Sequence, residues 1–136
     1  MRKVITIVSF FLVLSGCKKS IDKLKENAVI SAMTDGQWFI KSFIKNGTTI
    51  TSDFDGYKFQ FYSNNTVDAI KNNIVEKTGT WNGDAATMTI GADFPNVVIP
   101  LSLINGNWHV DNNSWTFVVA SQKSGNEVKT MRLEKL

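Results

Sequence analysis

Few residues in this sequence have the types and spacing that chemistry requires. His109 is the only histidine and Cys17 the only cysteine in 136 residues. Covalent catalysis needs a nucleophile beside a base, and a zinc site needs several nitrogen or sulfur ligands. The sequence also shows no spacing that pairs two carboxylates for acid–base catalysis. We therefore predict that the protein is not an enzyme and that it holds no metal and no cofactor.

One acidic segment, Asp53-Phe54-Asp55-Gly56, has the spacing at which a calcium loop begins. Asn64, however, occupies the position of the bidentate glutamate that completes such a loop. An Asp-Gly pair supplies the positive φ that tight hairpin turns need. We therefore interpret the segment as a turn.

Cys17 ends a segment with the features of a secretion signal. Two basic residues precede an apolar run from Val4 to Leu14, and the small residues Ser15 and Gly16 come directly before the cysteine. An apolar run of this length is too short to span a bilayer and is typical of a signal peptide. We predict that the chain is exported.

The order large, small, small, cysteine resembles the lipobox of bacterial lipoproteins. In that family the cysteine thiol receives a diacylglycerol, and signal peptidase cuts before the cysteine. The resemblance implies that residues 1–16 are removed and that Cys17 carries fatty acyl chains such as palmitate. Each buried methylene contributes about 0.8 kcal/mol, so these chains would anchor the protein to a membrane and leave no thiol for a disulfide. Two alternatives stay open: an ordinary signal peptide with an incidental cysteine, and a signal anchor that is not cleaved.

Residues 17–33 are predicted to form a tether between the lipid and a folded domain. The spacing of Ile21, Leu24 and Ala28 favours a short amphipathic helix. Lys18 replaces the aspartate that retains some lipoproteins in the inner membrane, which favours the outer membrane of the cell envelope. The tether lysines could contact anionic headgroups, although solvation of a linker is the commoner role of a short charge run.

The charge balance does not indicate a nucleic-acid partner. The net charge of +3 comes from the N-terminal region, because residues 27–136 carry nine basic and ten acidic residues without a basic stripe. We expect no nucleic acid among the partners, and the sequence does not constrain the oligomeric state.

From Gly36 onward the sequence predicts antiparallel strands. Asn-Gly, Asp-Gly and Asn-Asn turn signals recur, most of them seven to twelve residues apart, which is the spacing of strands joined by tight hairpins. The short connections favour an up-and-down barrel of about eight strands over a Greek-key sandwich. We predict one all-β domain over residues 34–136. Its candidate strands are 37–45, 57–63, 66–71, 75–82, 86–91, 97–104, 114–121 and 127–135, with shorter pieces at 48–52 and 108–111.

Alternating apolar residues indicate which side chains face the barrel interior. In the first strand Trp38, Ile40 and Ile44 are predicted to share one face, with Phe39 and Phe43 on the other. A barrel of eight strands has room for its own side chains or for one small ligand. If there is a cavity, the candidate ligand-binding residues on inner-face registers are Tyr57, Phe59, Phe61, Trp81 and Trp115.

Taken with the lipobox, residues 34–136 resemble the small lipocalin-like lipoproteins of Gram-negative bacteria. Four elements carry the resemblance, in this order: Asp35 to Ser42 with its Gly-Gln-Trp triplet, Tyr57 to Tyr62, Thr78 to Trp81, and Lys129 to Leu136. The chain lacks the Thr-Asp-Tyr motif and the disulfide of many lipocalins. The resemblance implies a calycin-like barrel in which Trp38 plugs one end. It also implies that Arg132 crosses that tryptophan in a structural cation–π pair.

The resemblance further implies a membrane-anchored protein that binds a small apolar or amphiphilic ligand. The alternative is a non-enzymatic structural or interaction module of a cell-envelope complex, with a solid barrel and an outer contact surface. The expected partners are the membrane, through the lipid on Cys17, and either that ligand or an envelope protein.

Overall fold

The computed structural model describes residues 25–136. The predicted signal peptide, the lipidation site Cys17 and the first part of the predicted tether lie outside this range. Within it, residues 25–34 are helical (α1), and no helix has the length and apolarity needed to cross a bilayer. The strands are β1 Trp38–Lys45, β2 Thr48–Thr49, β3 Tyr57–Phe61, β4 Thr66–Lys71, β5 Ile74–Asp84, β6 Thr89–Asp93, β7 Gly106–Asn113, β8 Phe117–Ser124 and β9 Glu127–Lys135, with 3₁₀ turns at Thr51–Phe54 and Leu101–Leu103.

Eight of these strands close into an antiparallel barrel. Each strand from β3 to β8 pairs with the next one in the chain, and β1 pairs with both β3 and β9, which closes the sheet. β2 is a short extra strand in a hairpin with β1. The prediction of an all-β, up-and-down barrel of about eight strands is confirmed. Closure pairs the strand edges that an open sheet would leave exposed.

The asparagine-rich turns supply the backbone geometry that these hairpins need. Asn72 and Asn73 join β4 to β5 with φ of 51° and 66°, and Asn46 and Gly47 join β1 to β2 with φ of 49° and 77°. A type I′ turn requires positive φ at both central residues, which asparagine and glycine tolerate best. The turn signals therefore lead directly to the hairpin connections of the barrel.

The prediction of a strand over residues 97–104 is wrong. The segment lies in the long loop between β6 and β7 and contains the 3₁₀ turn Leu101–Leu103. Pro95 and Pro100 lack the backbone N–H that a central strand uses in its ladder. The strand predicted over 108–111 is the middle of a longer strand, β7.

A β-bulge changes which residues of β1 face the interior. Ile40 pairs with Leu133 and Ser42 with Arg132, so Lys41 has no partner and the alternation shifts by one residue. Phe43 is consequently fully buried beside Trp38 and Ile40, whereas Ile44 is only partly buried. The prediction that Ile44 shares the face of Trp38 is wrong for this reason.

The two ends of the barrel are closed differently. α1 crosses one end, which we call the proximal end, and packs Val29 and Met33 against the core. The 3₁₀ turn Thr51–Phe54 and the β6–β7 loop cover the opposite end, which we call the distal end, with Phe54 and Leu101 buried. The second half of the predicted tether is thus part of the folded domain.

Candidate functional site

The barrel interior is almost filled by its own side chains. The cavity that remains measures about 30 Å³ and has an apolar lining that includes Phe59 and Phe61. Its volume is enough for about one water molecule, yet an apolar lining provides no hydrogen bonds to hold one. Pockets for small molecules are roughly ten times larger, so the interior does not accommodate a ligand.

Aromatic side chains account for most of the filling. Phe61 meets Trp81 edge to face, with ring centroids 5.3 Å apart, and Phe59 lies 6.4 Å from Phe94. Trp81 is 4% exposed, and its indole N–H donates to the Tyr62 carbonyl at 2.9 Å. Phe59, Phe61 and Trp81 therefore lie on the inner face as predicted, where they form the core.

Trp115 does not face the interior. It lies in the turn before β8 with 59% of its surface exposed, while Val118 and Ala120 are the buried residues of that strand. The inner face of β8 is therefore the even-numbered one, and the placement predicted for Trp115 is wrong. Apolar residues occur on both faces of this segment, so alternation alone selected the wrong face.

The predicted pair of Trp38 and Arg132 is also not formed. Leu133 and Lys135 belong to the inner register of β9, so Arg132 points outward and its guanidinium lies 4.4 Å from the Phe117 ring. Lys135 takes the predicted place instead, with its ammonium 5.1 Å from the Trp38 ring centroid. The tryptophan is fully buried at the proximal end, and the basic residue over it is its cross-strand partner on β9.

The distal end carries a more open pocket. This distal pocket measures about 280 Å³ and lies between β3, β5 and the β6–β7 loop. Val98 and Ile99 form an aliphatic wall and are 82% and 64% exposed. Its lining consists of Tyr57, Glu76, Lys77, Asn96, Val97, Val98, Ile99 and Leu101.

A β-bulge in β5 determines the position of Glu76, a charged residue of this pocket. Ala69 pairs with Lys77 and Ile70 pairs with Val75, so Glu76 is the extra residue of β5. Bulges re-aim side chains and recur at barrel rims and beside functional sites. Glu76 is thereby brought to the Tyr57 hydroxyl, at the polar end of the distal pocket.

Tyr57 is held protonated at this position. Burial, followed by the hydrogen bond and the negative charge of Glu76, raises the pKa of the Tyr57 phenol to about 12. The Lys71 ammonium lies 5.0 Å from the centroid of the same ring. At neutral pH the phenol is therefore a hydrogen-bond donor next to a carboxylate and two lysines.

The distal end as a whole has an excess of positive charge. It carries six lysines and five acidic residues on the strand ends and loops that surround it. The lysines are Lys45, Lys58, Lys71, Lys77, Lys123 and Lys129, and the acidic residues are Asp53, Asp55, Glu76, Asp93 and Glu127. A concave site within this field favours an anionic ligand over a cationic one.

Sequence reasoning found Tyr57 but missed the residues that surround it. Glu76 and Lys77 were indistinguishable from ordinary strand charges, because the bulge has no local sequence signal. One sequence signal indicated that Val98 and Ile99 lie in a loop. They stand between Pro95 and Pro100, and a segment with two prolines is disfavoured as a central strand.

A pair of titratable residues lies on the barrel surface, outside this pocket. His109 and Asp111 form an exposed pair at 3.0 Å on β7, and hydrogen bonding to Ser121 and then to His109 lowers the pKa of the Asp111 carboxyl. In the part of the chain that the structure describes, no group of three histidine, cysteine, aspartate or glutamate residues is placed to hold a metal ion.

Comparison with known proteins identifies the fold. The chain matches no family model and no curated protein. It is similar to the crystal structure of a DUF4847 family protein from Bacteroides vulgatus, with a TM-score of 0.54 and 13% sequence identity over 78% of this chain and 96% of that one. At this identity the likeness extends to the fold alone, and it supports the closed antiparallel barrel described above.

Proposed function

We propose that this protein is a lipid-anchored, non-enzymatic barrel of the cell envelope that binds a small anionic amphiphile in its distal pocket. One observation carries the proposal: the interior cavity measures about 30 Å³, whereas the distal pocket measures about 280 Å³. The larger volume approaches that of ordinary small-molecule sites, and its lining combines apolar walls with a few convergent polar groups.

The chemistry of the lining suggests how such a ligand is held. Its aliphatic part packs against Val98 and Ile99, which lose their large exposed area on binding. Its anionic head pairs with the ammonium group of Lys77, whereas the single proton of the Tyr57 hydroxyl stays on the hydrogen bond to Glu76. Each additional buried methylene should then strengthen binding by about 0.8 kcal/mol, which is about fourfold.

The position of the helix supports an orientation for the proposed anchor. Cys17 precedes the first described residue, Lys25, by eight positions, a chain that reaches at most about 29 Å when fully extended. α1 packs across the proximal end, so a lipid on Cys17 would hold this end toward the membrane. The distal pocket would then face away from the bilayer, accessible to ligand.

Two experiments test the two parts of the proposal. Metabolic labelling with palmitate should mark the wild-type protein and should not mark Cys17→Ala, which should also leave the membrane fraction. Labelling of the Cys17→Ala variant would contradict the anchor. The result does not depend on the pocket.

The pocket is tested by titrating octanoate and decanoate into the exported chain carrying Cys17→Ser, with decyltrimethylammonium as the cationic control. Amide NMR signals of Val98, Ile99 and Glu76 should shift, decanoate should bind more tightly than octanoate, and the cation should bind more weakly than either. Val98→Asp should abolish the shifts. Val128→Asp, at an exposed aliphatic residue outside the pocket, should not. Absence of shifts with both carboxylates would overturn ligand binding at this site.

A protein contact at the same end is the second candidate. Ile74 and Val75 are also exposed at the distal start of β5, at 71% and 52%, and exposed apolar groups of this kind mark interaction surfaces. A photo-crosslinking amino acid at position 98 should then capture an envelope protein in cells, whereas the same group at position 115, which is exposed at the proximal end, should not. Equal capture at both positions would contradict a specific contact.

A further inference from the structure

A second concave surface lies on the outer wall of the barrel and is formed by other residues than the distal pocket. This side groove measures about 480 Å³ and is bounded by the β3–β4 turn and by the outward faces of β5, β6 and β7. Most of its lining residues are polar; the lining consists of Asn64, Asn65, Thr66, Thr80, Trp81, Asn82, Gly91, Ala92, Asp93, Gly106 and Asn107.

Gly91 forms the floor of the groove. It pairs with Asn82 on β5 and with Asn107 on β7. A Cβ atom on Gly91 would meet the Oδ1 atoms of both asparagines, that of Asn107 at 2.7 Å. Gly91 does not have positive φ, so the backbone does not require glycine there. The missing side chain instead makes the space in which two amide groups converge.

These amides have unused hydrogen-bonding capacity. Within residues 25–136, the side chains of Asn82, Asn107, Thr80 and Asp93 have no hydrogen-bond partner, whereas the amide of Asn105 donates to and its oxygen accepts from the Phe94 backbone. An amide side chain offers both donors and acceptors. The groove therefore presents several polar groups that water satisfies now and that a ligand with hydroxyl groups could satisfy.

The charges of the lining narrow the class of ligand. Among residues 25–136, no lysine or arginine lines the groove, which disfavours phosphates and carboxylates as ligands, and Asp93 is the only acidic residue of the lining. The side chains of Trp81 and Ala92 belong to the inner face of the barrel, so the outward side chains around Gly91 form the surface of the groove; they are Thr80, Asn82, Asp93 and Asn107. A lining of neutral amide and hydroxyl groups beside one carboxylate matches the hydroxyl groups of a sugar ring.

We infer that the side groove binds a neutral saccharide, with one hydroxyl group held between the amides of Asn82 and Asn107 above Gly91. Both amide oxygens face Gly91 in the structure. The hydroxyl therefore donates to one of these oxygens and accepts from the NH₂ of the other amide after that side chain has turned. Thr80, Asp93 and Asn65 are placed to contact neighbouring hydroxyl groups. The inference does not depend on the lipid or on the distal pocket.

The test is a titration of the exported chain carrying Cys17→Ser with glucose, galactose, mannose, N-acetylglucosamine, maltose and cellobiose, followed by NMR. At least one of these sugars should shift the side-chain amide signals of Asn82 and Asn107 saturably. Absence of shifts for all six up to about 50 mM, well beyond millimolar affinity, would overturn the inference. Shifts confined to the distal pocket would do the same.

Matched variants distinguish binding in the side groove from unspecific binding elsewhere on the protein. Asn82→Ala removes one of the two amides and should weaken binding about three- to tenfold, as expected for one hydrogen bond. Gly91→Ala fills the space between the amides and should weaken binding at least as much. Asn112→Ala, at an exposed asparagine of β7 outside the groove, should bind like wild type. Unchanged binding by Gly91→Ala, with an unchanged fold by amide NMR, would contradict the inference.

Discussion

The indole nitrogen of Trp38 donates a 2.9 Å hydrogen bond to the backbone carbonyl of Met33, and this bond joins α1 to the first strand of the barrel. Both side chains are buried. Lys135 lies over the same indole ring. Its ammonium nitrogen is 3.6 Å from a carboxylate oxygen of Asp35, the residue that follows the helix. One tryptophan thus connects the helix, the first strand and the last strand at the proximal end.

Replacement of this tryptophan should be among the most destabilising single changes. Trp38→Ala removes a fully buried indole and leaves a cavity, at a cost of about 3 to 5 kcal/mol in the free energy of unfolding. Urea unfolding measures the difference. Trp115→Ala is the matched control, because that tryptophan is exposed and its loss should change stability by about 0.5 kcal/mol or less. Similar costs for the two variants would contradict the assigned positions.

Stability should fall at alkaline pH partly because of Tyr57. Its pKa is raised from 10.0 to about 12 in the folded protein, so the folded state binds the phenol proton more tightly than the unfolded state does. The resulting stabilisation is fully present below pH 10 and is lost as the pH rises from 10 to 12. In unfolding experiments across this range, Tyr57→Phe should lose stability less steeply than wild type. The hydrogen bond to Asp68 raises the pKa of Tyr62, so part of the loss of stability with pH remains in both proteins. Equal slopes of the free energy of unfolding against pH would contradict the role of Tyr57.

Two glycines on adjacent strands should respond differently to the same substitution. A Cβ on Gly79 would meet the backbone oxygen of Asp93 and, at 2.8 Å, the Phe94 ring, so Gly79→Ala should cost about 1 to 3 kcal/mol. A Cβ on Gly91 meets only the ends of two asparagine side chains, which can rotate away. Gly91→Ala should therefore change stability by about 1 kcal/mol or less. Thermal unfolding distinguishes the two, and equal melting temperatures would show that the packing around Gly79 is looser than described.

Lys129 should contribute to the closure of the distal end. It is 6% exposed, its ammonium donates to the Leu103 carbonyl at 2.9 Å, and it lies 5.5 Å from the Trp108 ring centroid. Lys129→Met keeps most of the aliphatic length but leaves the carbonyl without this donor, at a cost of about 1 to 3 kcal/mol. Lys123→Met, on the exposed part of β8, should have little effect in the same urea experiment. An equally small effect at both positions would argue against a closing role for Lys129.

Local sequence patterns were sufficient for the topology. Asn-Gly and Asn-Asn pairs specify turns with positive φ, and they occur where the backbone needs them, as at Asn72 and Asn73. The alternation of Tyr57, Phe59 and Phe61 placed these three side chains on one buried face. Both signals act over a few residues, through backbone sterics and the two-residue period of a strand.

The local pattern did not determine the bulges at Lys41 and Glu76. Lys41 in β1 and Glu76 in β5 are unpaired because closing the barrel forces the strands to bend and twist against their neighbours. The first bulge brings Phe43 into the core, and the second brings Glu76 to the Tyr57 hydroxyl. Neither change has a signal in the residues next to it, since both depend on strands that are distant in the sequence.

The sequence by itself thus determined that the domain is an all-β, up-and-down barrel of about eight strands and that Tyr57, Phe59, Phe61 and Trp81 face its interior. Only the tertiary structure decided that the interior has no room for a ligand, that Trp115 lies outside and that the concave surfaces are at the distal end and on the outer wall. The physical reason is that burial and cavity volume depend on how all the side chains pack together. Periodicity indicates only the face of its own strand on which each side chain lies.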